Sequence, residues 1–247
     1  MESRSISVER RSTCVNIKIM VKKQRSLQRR EESLSRDSII EASVALLDSG
    51  GEDGLTFRAL SERLSTGPGA IYWHIADKSD LLTAACDSVV ARTIHEIVET
   101  TPEETIRAIA AGLFDAISTH PWIGSALTSA PGASPIVRIV ESIGQQICQL
   151  HVPETHQWTA AGALMAFILG VSSQNAANGQ LARRQNLDRT DFLEALSTTW
   201  SQLDPEEYPF ARSVAGRIRD HDDRADFLAG IDLILMGIES MRLRSQA

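Results

Sequence analysis

Apolar residues recur along most of the chain at intervals of three and four positions, which is the spacing of one face of a helix. Ile40, Val44 and Leu47 form such a stripe, and Gly50 and Gly51 then end it. The same periodicity predicts further helices over about 78–99, 103–119, 122–127, 134–150, 157–180, 190–202, 208–218 and 223–243, with prolines near the boundaries. Because no run of alternating β-branched residues with hairpin turns interrupts them, the sequence predicts an all-α fold.

Two short helices joined by a tight turn are predicted in residues 55–82, which read LTFRALSERLSTGPGAIYWHIADKSDLL. Thr56 can cap the first helix, which buries Leu60 on its apolar face. The run STGPG cannot continue that helix, but Pro68 suits a first helical position because its missing N–H would be unpaired there anyway. Asp77 offers a new cap, so the second helix spans about two turns before a longer helix begins.

The second of these helices is too short to have a core of its own. Ile71 can pack inward, whereas Gly69, Ala70 and Tyr72 would face outward. No acidic residue occurs between positions 63 and 76, although the chain has 32 Asp and Glu among 247 residues. A surface that meets DNA phosphates requires such a gap. We therefore interpret residues 56–75 as a helix-turn-helix motif that places its second helix in a DNA groove.

Around this motif the chain resembles the DNA-binding domain of the TetR (tetracycline-repressor) family of bacterial transcriptional regulators. The resemblance rests on the segments RDSIIEASVALLDSGG, LTFRALSERL and AIYWHIAD, followed by Lys78 and two leucines. It implies an N-terminal three-helix helix-turn-helix DNA-binding domain over residues 35–82. It also implies a larger helical C-terminal domain over residues 83–247, which binds an effector and dimerises.

The resemblance further implies a set of residues that contact DNA. Tyr72 and His74 would bond phosphates, and Lys78 would neutralise a third. Thr56 and Arg58 would approach the backbone or a base at the edge of the site, while Trp73 would mostly pack. The full predicted set is Thr56, Arg58, Thr66, Pro68, Gly69, Ala70, Tyr72, Trp73, His74 and Lys78.

Three of these positions depart from a strong base reader. Pro68, Gly69 and Ala70 have no side-chain donors, whereas related proteins often carry Gln, Thr or Ser there. Direct readout would then depend on Arg58, on Thr66 and on an apolar contact between Ala70 and a thymine methyl.

Several of these residues also have a plain structural interpretation. Tyr72 and Trp73 could be core aromatics where helices cross, and His74 could be a hydrogen-bonded structural histidine. The chain would then be a helical protein-interaction adaptor without DNA binding. An enzyme is disfavoured because the sequence has no Gly-rich phosphate loop, no nucleophile elbow and no recognisable pair of acid and base.

Charge divides the chain unevenly. Residues 1–36 contain ten Lys or Arg against four Asp or Glu, a net charge of +6, while the remainder has 15 against 28, a net charge of −13. We interpret residues 1–34 as a disordered basic arm that could follow the DNA backbone or enter a minor groove. The alternatives are a tail without function or an extension upstream of a start at Met20.

Cysteines and histidines do not suggest a metal site or a cofactor. Cys14, Cys86 and Cys148 are widely spaced and odd in number, which favours a reduced cytoplasm over a disulfide scaffold. The histidines have no carboxylate or cysteine at ligand spacing. No stretch of 18 uninterrupted apolar residues occurs, so we expect no membrane span.

The C-terminal region predicts a homodimer and a small-molecule site, the first from geometry and the second from the resemblance. One two-turn helix reads few base pairs, so specificity for a palindromic operator needs two copies. The predicted dimer stripe on the last helix is Phe227, Ile231, Leu235 and Ile238; an ordinary buried helix is the alternative. The predicted ligand-binding residues, which could equally be core, are Phe114, His120, Trp122, Trp158, Met165, Phe167, Gln174 and Asn175. The implied function is a repressor that an apolar or aromatic effector releases from DNA.

Overall fold

The structure, a computed structural model, describes residues 34–97, 99, 101–129 and 132–245. The predicted basic arm lies almost entirely outside these residues. Within them the regular elements are all helical, as the sequence predicts. In chain order the α-helices are α1 (Arg36–Gly54), α2 (Phe57–Arg63), α3 (Pro68–Tyr72), α4 (Lys78–His95), α5 (Pro102–Thr119), α6 (Trp122–Ser129), α7 (Ser134–Gln149), α8 (Glu154–Arg184), α9 (Arg189–Ser201), α10 (Pro209–Val214) and α11 (Asp223–Ser245). A 3-10 turn, Ala215–Ile218, follows α10.

Helix α1 begins with a capping box and ends with a kink. The Ser35 hydroxyl accepts a hydrogen bond from the Ser38 amide, and the Ser38 hydroxyl reaches back to the Ser35 amide. The predicted glycine stop is present as a break, since Gly51 has φ 61° and ψ −162°, but one further turn follows it to Gly54. The last turn of α1 is therefore separated from the rest of the helix by the kink at Gly51.

Helices α2 and α3 form the predicted pair. Thr56 caps α2 by accepting a hydrogen bond from the Ala59 amide at 3.1 Å. The turn passes through Ser65, whose φ of 50° cannot continue a helix, and α3 restarts with Pro68 in its first turn. We call α1 to α3 and the start of α4 the head. Leu60 and Ile71 are fully buried, so α2 and α3 are each held to the rest of the head by their apolar sides.

We call α5 to α11 the body, and its helices are built around α5. This helix packs against α4, α6, α7, α8 and α11, and its buried face supplies Ile106, Ile109, Leu113 and Ile117 to the core. Phe114 also belongs to that core, because its ring stacks on Phe227 of α11 with centroids 4.8 Å apart.

The predicted dimer stripe on α11 lies inside the subunit. Phe227, Ile231, Leu235 and Ile238 are all buried in the core of the single chain, which is the alternative that the sequence left open. The reason is that α11 packs against both α5 and α8, and these two helices cover its most apolar face. The exposed apolar residues of α11 lie elsewhere, at Leu233, Met236 and Leu243.

Among the described residues, only α8 is long and apolar enough, by length and composition alone, to cross a membrane. One such helix is a weak indication, because the core helix of a globular protein passes the same test. Here α8 packs against α5, α6, α7, α9 and α11, and its second half carries polar residues such as Gln174 and Asn175.

Candidate nucleic-acid interface and effector cavity

Helix α3 presents a broad exposed surface and one buried anchor. Ile71 and, just beyond the helix, Ile75 are buried, whereas Pro68, Gly69 and His74 are exposed. A helix of five residues has too few positions for a second buried face. Everything on α3 other than Ile71 and the half-buried Ala70 is therefore available to a partner.

Tyr72 is exposed yet held in place. Its ring stacks on Phe57 of α2 with centroids 4.3 Å apart and an angle of 14° between the planes, while the side chain remains 55% exposed. Stacking on Phe57 fixes the orientation of the Tyr72 ring and therefore the position of its hydroxyl. The hydroxyl can then donate a hydrogen bond to a partner with little further loss of side-chain entropy. The alternative in which Tyr72 is a core aromatic is therefore only partly correct, because the ring packs against Phe57 but is not buried.

Trp73 does not pack as the resemblance suggests. It is 89% exposed, the most exposed large apolar residue among those that the structure describes. The cause is its position as the C-terminal cap of α3, where the chain turns at His74 to bring Ile75 back to the core. A fully exposed indole next to Tyr72 is costly to leave in water, and exposed apolar groups of this kind mark contact sites.

Arg58 lies on the surface of α2 and is paired within its own helix. Its Nε donates to Glu62 Oε1 at 3.0 Å, and both side chains are largely exposed. Such a pair contributes little to stability and can rearrange easily. Arg58, Glu62, Thr66 and Pro68 line a shallow hollow between α2 and α3, so the two predicted base readers and the start of α3 share one surface.

Lys78 ties two helices of the head together. Its Nζ donates to the backbone oxygen of Glu52 in the last turn of α1. The predicted phosphate contact would have to share or replace this bond. Lys78 is exposed and sits at the start of α4, so its ammonium group can reach either partner.

The acidic residues nearest to α3 are already occupied. Asp77 caps α4 by accepting from the Asp80 amide at 2.9 Å, and Asp80 accepts from the Ala76 amide at 3.1 Å and pairs with Arg36. Their charge is partly offset by these donors and by the helix terminus. Anionic DNA therefore meets little uncompensated negative charge on this side of the head.

A cavity of about 1320 Å³ opens in the body, between the second half of α8, α9, the 3-10 turn and the start of α11. Its apolar wall contains Leu187, Phe192, Leu193, Leu196, Trp200, Val214 and Ile218. Its polar wall contains Ser118, Gln174, Asn175 and Asn178. This combination of an apolar surface with a few polar groups is typical of a small-molecule site, and the volume exceeds that of most such sites.

The charged rim of this cavity is largely self-paired. Asp223 pairs with Arg189 and with His221, and the other ring nitrogen of His221 lies 2.8 Å from Asp226. Asp222 accepts backbone hydrogen bonds from Ala225 and Arg224, which lower the pKa of its carboxyl group. A ligand would consequently be held by the amides and the apolar wall more than by the acids.

Two of the eight predicted ligand-binding residues, Gln174 and Asn175, line this cavity. The other six do not. Phe167 stacks on Phe227, as Phe114 does, Met165 packs against the core and Trp158 is 77% exposed.

His120 and Trp122 are the last two of the six. Both contact Asp48 of α1 instead of the cavity. The predicted aromatic residues on these helices therefore lie in the core, at the joint between head and body or, for Trp158, on the surface.

Sequence reasoning missed the aromatic wall of the cavity. Phe192, Leu196 and Trp200 recur at four-residue intervals on α9, a stripe that could have been noticed. It also missed the Arg58 and Glu62 pair, although their spacing of four residues is a common helix pairing. No spacing rule joins Asp48 to His120, which lie 72 positions apart.

The described residues show no metal-binding group and no exposed reactive thiol on the head. Within these ranges, no set of three or more His, Cys, Asp or Glu residues has an arrangement that could hold a metal ion. Burial, with a smaller effect from Asp87, raises the pKa of the Cys86 thiol to about 12, which keeps it protonated and unreactive. Cys148 is exposed on the body.

Comparison with known proteins agrees with this geometry. The sequence model described as "Bacterial regulatory proteins, tetR family" matches residues 39–85, the region of α1 to α4. A solved TetR transcriptional regulator from Streptomyces coelicolor shares 50% identity, covering 85% of this chain and 99% of that one, with a TM-score of 0.77.

Two more distant matches differ in what they cover. An HTH-type transcriptional regulator from Saccharopolyspora erythraea is 35% identical over 104 residues, 41% of this chain and 44% of that protein, so less than half of its length is spanned. The TetR family protein ActR from Streptomyces coelicolor, solved in complex with actinorhodin, has 19% identity over 84% of this chain and 97% of that one, with a TM-score of 0.67. ActR therefore shares the fold.

Identity of 50% along almost the whole of a solved TetR regulator, together with the match of the helix-turn-helix region, is enough to assign the family. The chain belongs to the TetR family of bacterial transcriptional regulators.

Proposed function

We propose that this protein is a cytoplasmic, homodimeric repressor that binds a palindromic DNA operator and is released from it by a small-molecule effector. The single observation that carries the proposal is the surface at the end of α3, where Tyr72 and the two residues after the helix, Trp73 and His74, are exposed with no acidic residue among them. We assign it no catalytic role. The domain limits predicted from sequence, at residues 35–82 and 83–247, form part of the proposal.

On this proposal, phosphate contacts position the head. The Tyr72 hydroxyl and the His74 imidazole donate to phosphate oxygens, and Lys78 supplies a full positive charge at the start of α4. Trp73 lies against the sugar and base edges beside them, which removes its indole from water. These contacts come from the end of α3, the two residues after it and the start of α4, which are close together in the chain, so one groove can engage them together.

Base recognition falls to α2 and to the start of α3. Arg58 can turn from Glu62 towards a guanine, the most common specific contact of an arginine in the major groove. Thr56 and Thr66 flank it, and Ala70 presents a methyl group to a thymine. Pro68 and Gly69 contribute only close approach of the backbone, so we expect few specified positions in each half-site.

The dimer would form through the outward faces of α8 and α11. Leu233 and Met236 of α11 are 66% and 61% exposed, although they lie in the middle of a long helix. The outward face of α8 exposes small residues, among them Gly162, Ala166 and Gly170, which permit close approach of a second helix. An exposed apolar surface next to such a face fits a second copy of the same chain.

The effector would occupy the cavity beside α9. Its apolar wall, including Phe192 and Trp200, suits an aromatic body, and Gln174, Asn175 and Asn178 can orient polar groups on it. ActR, which shares this fold, binds actinorhodin. An effector that binds one arrangement of the heads more tightly than the other would shift the population away from the DNA-competent form.

Selection of bound fragments from a randomised pool of duplex DNA tests the proposal. We expect a palindrome whose half-sites lie about 34–36 Å apart, or a multiple of that distance.

Arg58→Ala should relax one position in each half-site, with a loss of about 1–3 kcal/mol there. Arg63→Ala, which changes an exposed arginine on the same helix, serves as the control. Uniform loss across all sequences would make Arg58 a backbone contact, and recovery of no sequence would refute the proposal.

Tyr72→Phe should weaken operator binding without lowering stability. The variant keeps the ring that stacks on Phe57 and removes only the hydroxyl, so each subunit loses one hydrogen bond of about 0.5–1.5 kcal/mol. Leu60→Ala, which leaves a cavity in the head, should instead lower the free energy of unfolding by about 2–5 kcal/mol. Titration of operator DNA and urea unfolding measure the two effects. Equal destabilisation of both variants would mean that Tyr72 is core and not interface.

Charge on the outward face of α11 should separate the subunits. Leu233→Glu combined with Met236→Glu places four carboxylates in the proposed interface of the dimer, where they would be unpaired. Sedimentation velocity should then show monomers, with helix content unchanged by circular dichroism. Val137→Glu, at an exposed apolar position on α7, is the matched control and should leave the dimer intact. A double variant that remains dimeric would move the interface elsewhere.

A further inference from the structure

Helix α6, together with α4, joins the head to the body. It packs against α1 and α4 on one side and against α5 and α8 on the other. Next to it, one carboxylate oxygen of Asp48, on α1, has two partners from the body. The Trp122 indole Nε1 donates to it at 2.8 Å, and His120 Nδ1 lies 2.7 Å from it. Both partners belong to the corner between α5 and α6.

A second contact lies one turn further along α1. The Ser125 hydroxyl donates to the Glu52 carboxylate at 2.8 Å. The backbone oxygen of the same Glu52 accepts from Lys78, a proposed phosphate contact. The last turn of α1, beyond the kink at Gly51, is therefore bound both to α6 of the body and to the DNA-facing start of α4.

The other side of the same corner reaches the cavity. Ser118, two residues before His120, lines the cavity and accepts a hydrogen bond from the Asn175 amide at 3.3 Å. Helix α6 also meets α8 without spare room, because a Cβ at Gly124 would lie 2.7 Å from the Ser173 hydroxyl. Ser173 adjoins Gln174 in the cavity wall. A displacement of this wall would therefore be passed directly to α6.

We propose that Asp48 is the positioning residue through which the cavity controls the head. We name Asp48, Glu52, His120, Trp122 and Ser125 the α1–α6 latch. The inference rests on the proposed function, since it concerns how occupancy of the cavity reaches the DNA-binding surface. A ligand that takes the Asn175 amide from Ser118, or that moves α8 against Gly124, shifts both donors away from Asp48. The end of α1 and Lys78 move with them.

Operator affinity in a double-mutant cycle tests the latch without a known effector. Gly124→Ala places a methyl group 2.7 Å from the Ser173 hydroxyl of α8, so this contact has to shift, and the variant stands in for an occupied cavity; Asn175→Ala, which frees Ser118, is the second such variant. Each should weaken binding of the selected operator duplex at least about fivefold in the wild-type background. In the Asp48→Ala background, which removes the acceptor oxygen, or in the Trp122→Phe background, which removes one donor, the same change should cost less than about twofold, because the displacement no longer reaches the head.

A matched control comes from α6 itself. Within the part of the chain that the structure describes, Ser129 bonds to its own helix, so Ser129→Ala should leave the full effect of Gly124→Ala in place, whereas Ser125→Ala should reduce it. Thermal unfolding of every variant separates these effects from loss of fold. Effects that multiply independently in the Asp48→Ala background, or a wild-type background that responds to neither cavity variant, would overturn the latch.

Hydrogen exchange of the free protein gives a readout that needs no DNA. Gly124→Ala and Trp122→Phe should each accelerate exchange of the backbone amides of residues 49–54, and Ser129→Ala should not. Unchanged exchange in those amides would overturn the latch on its own. Faster exchange in a protein that selects no operator would support the latch and refute the proposed function, so the two failures can be told apart.

Discussion

The buried side chain of Ile71 fixes the recognition surface on which the rest of this structure depends. Helix α3 has five residues and one inward position, so the head can hold it only through Ile71, the following Ile75 and the stack of Tyr72 on Phe57. Burial of the two isoleucines supplies most of the attachment. The remaining residues of α3, and Trp73 and His74 after it, must face water or a partner, and that partner meets aromatic and polar groups with no acid among them. This requirement favours DNA over an apolar protein surface.

The small size of the surface that reads DNA also explains why the chain needs a larger body. A short helix cannot specify a site alone, and the body provides what it lacks: an exposed apolar face on α11 for a second copy and a cavity beside α9. The two parts meet through α4 and α6, and the polar contacts of Asp48 are few and partly exposed. Contacts of this kind contribute little to the stability of the fold. They suit a joint that must change its arrangement when a ligand binds.

Local signals predicted the helices well. Thr56, Asp77 and Pro68 occupy the caps and first turn that the sequence assigned to them, because capping depends on neighbours within four residues. Orientation was harder. The α11 stripe through Phe227 is apolar whether it faces its own subunit or a partner, and periodicity cannot distinguish the two. Trp73 was expected to pack by its type, but its exposure follows from the tight turn at the end of α3. The cavity joins Ser118 of α5 to residues between 174 and 226, and no local pattern encodes how these helices enclose a space.

The central claim is that two copies of α3 lie against the sugar-phosphate backbone of one duplex, and hydroxyl-radical footprinting of the selected operator tests this most directly. We predict two protected segments related by the palindrome, with centres about 10–10.5 base pairs apart or a multiple of that spacing. In Tyr72→Phe, protection should weaken equally in both segments. A single protected segment, or protection that does not change when Tyr72 loses its hydroxyl, would contradict the account.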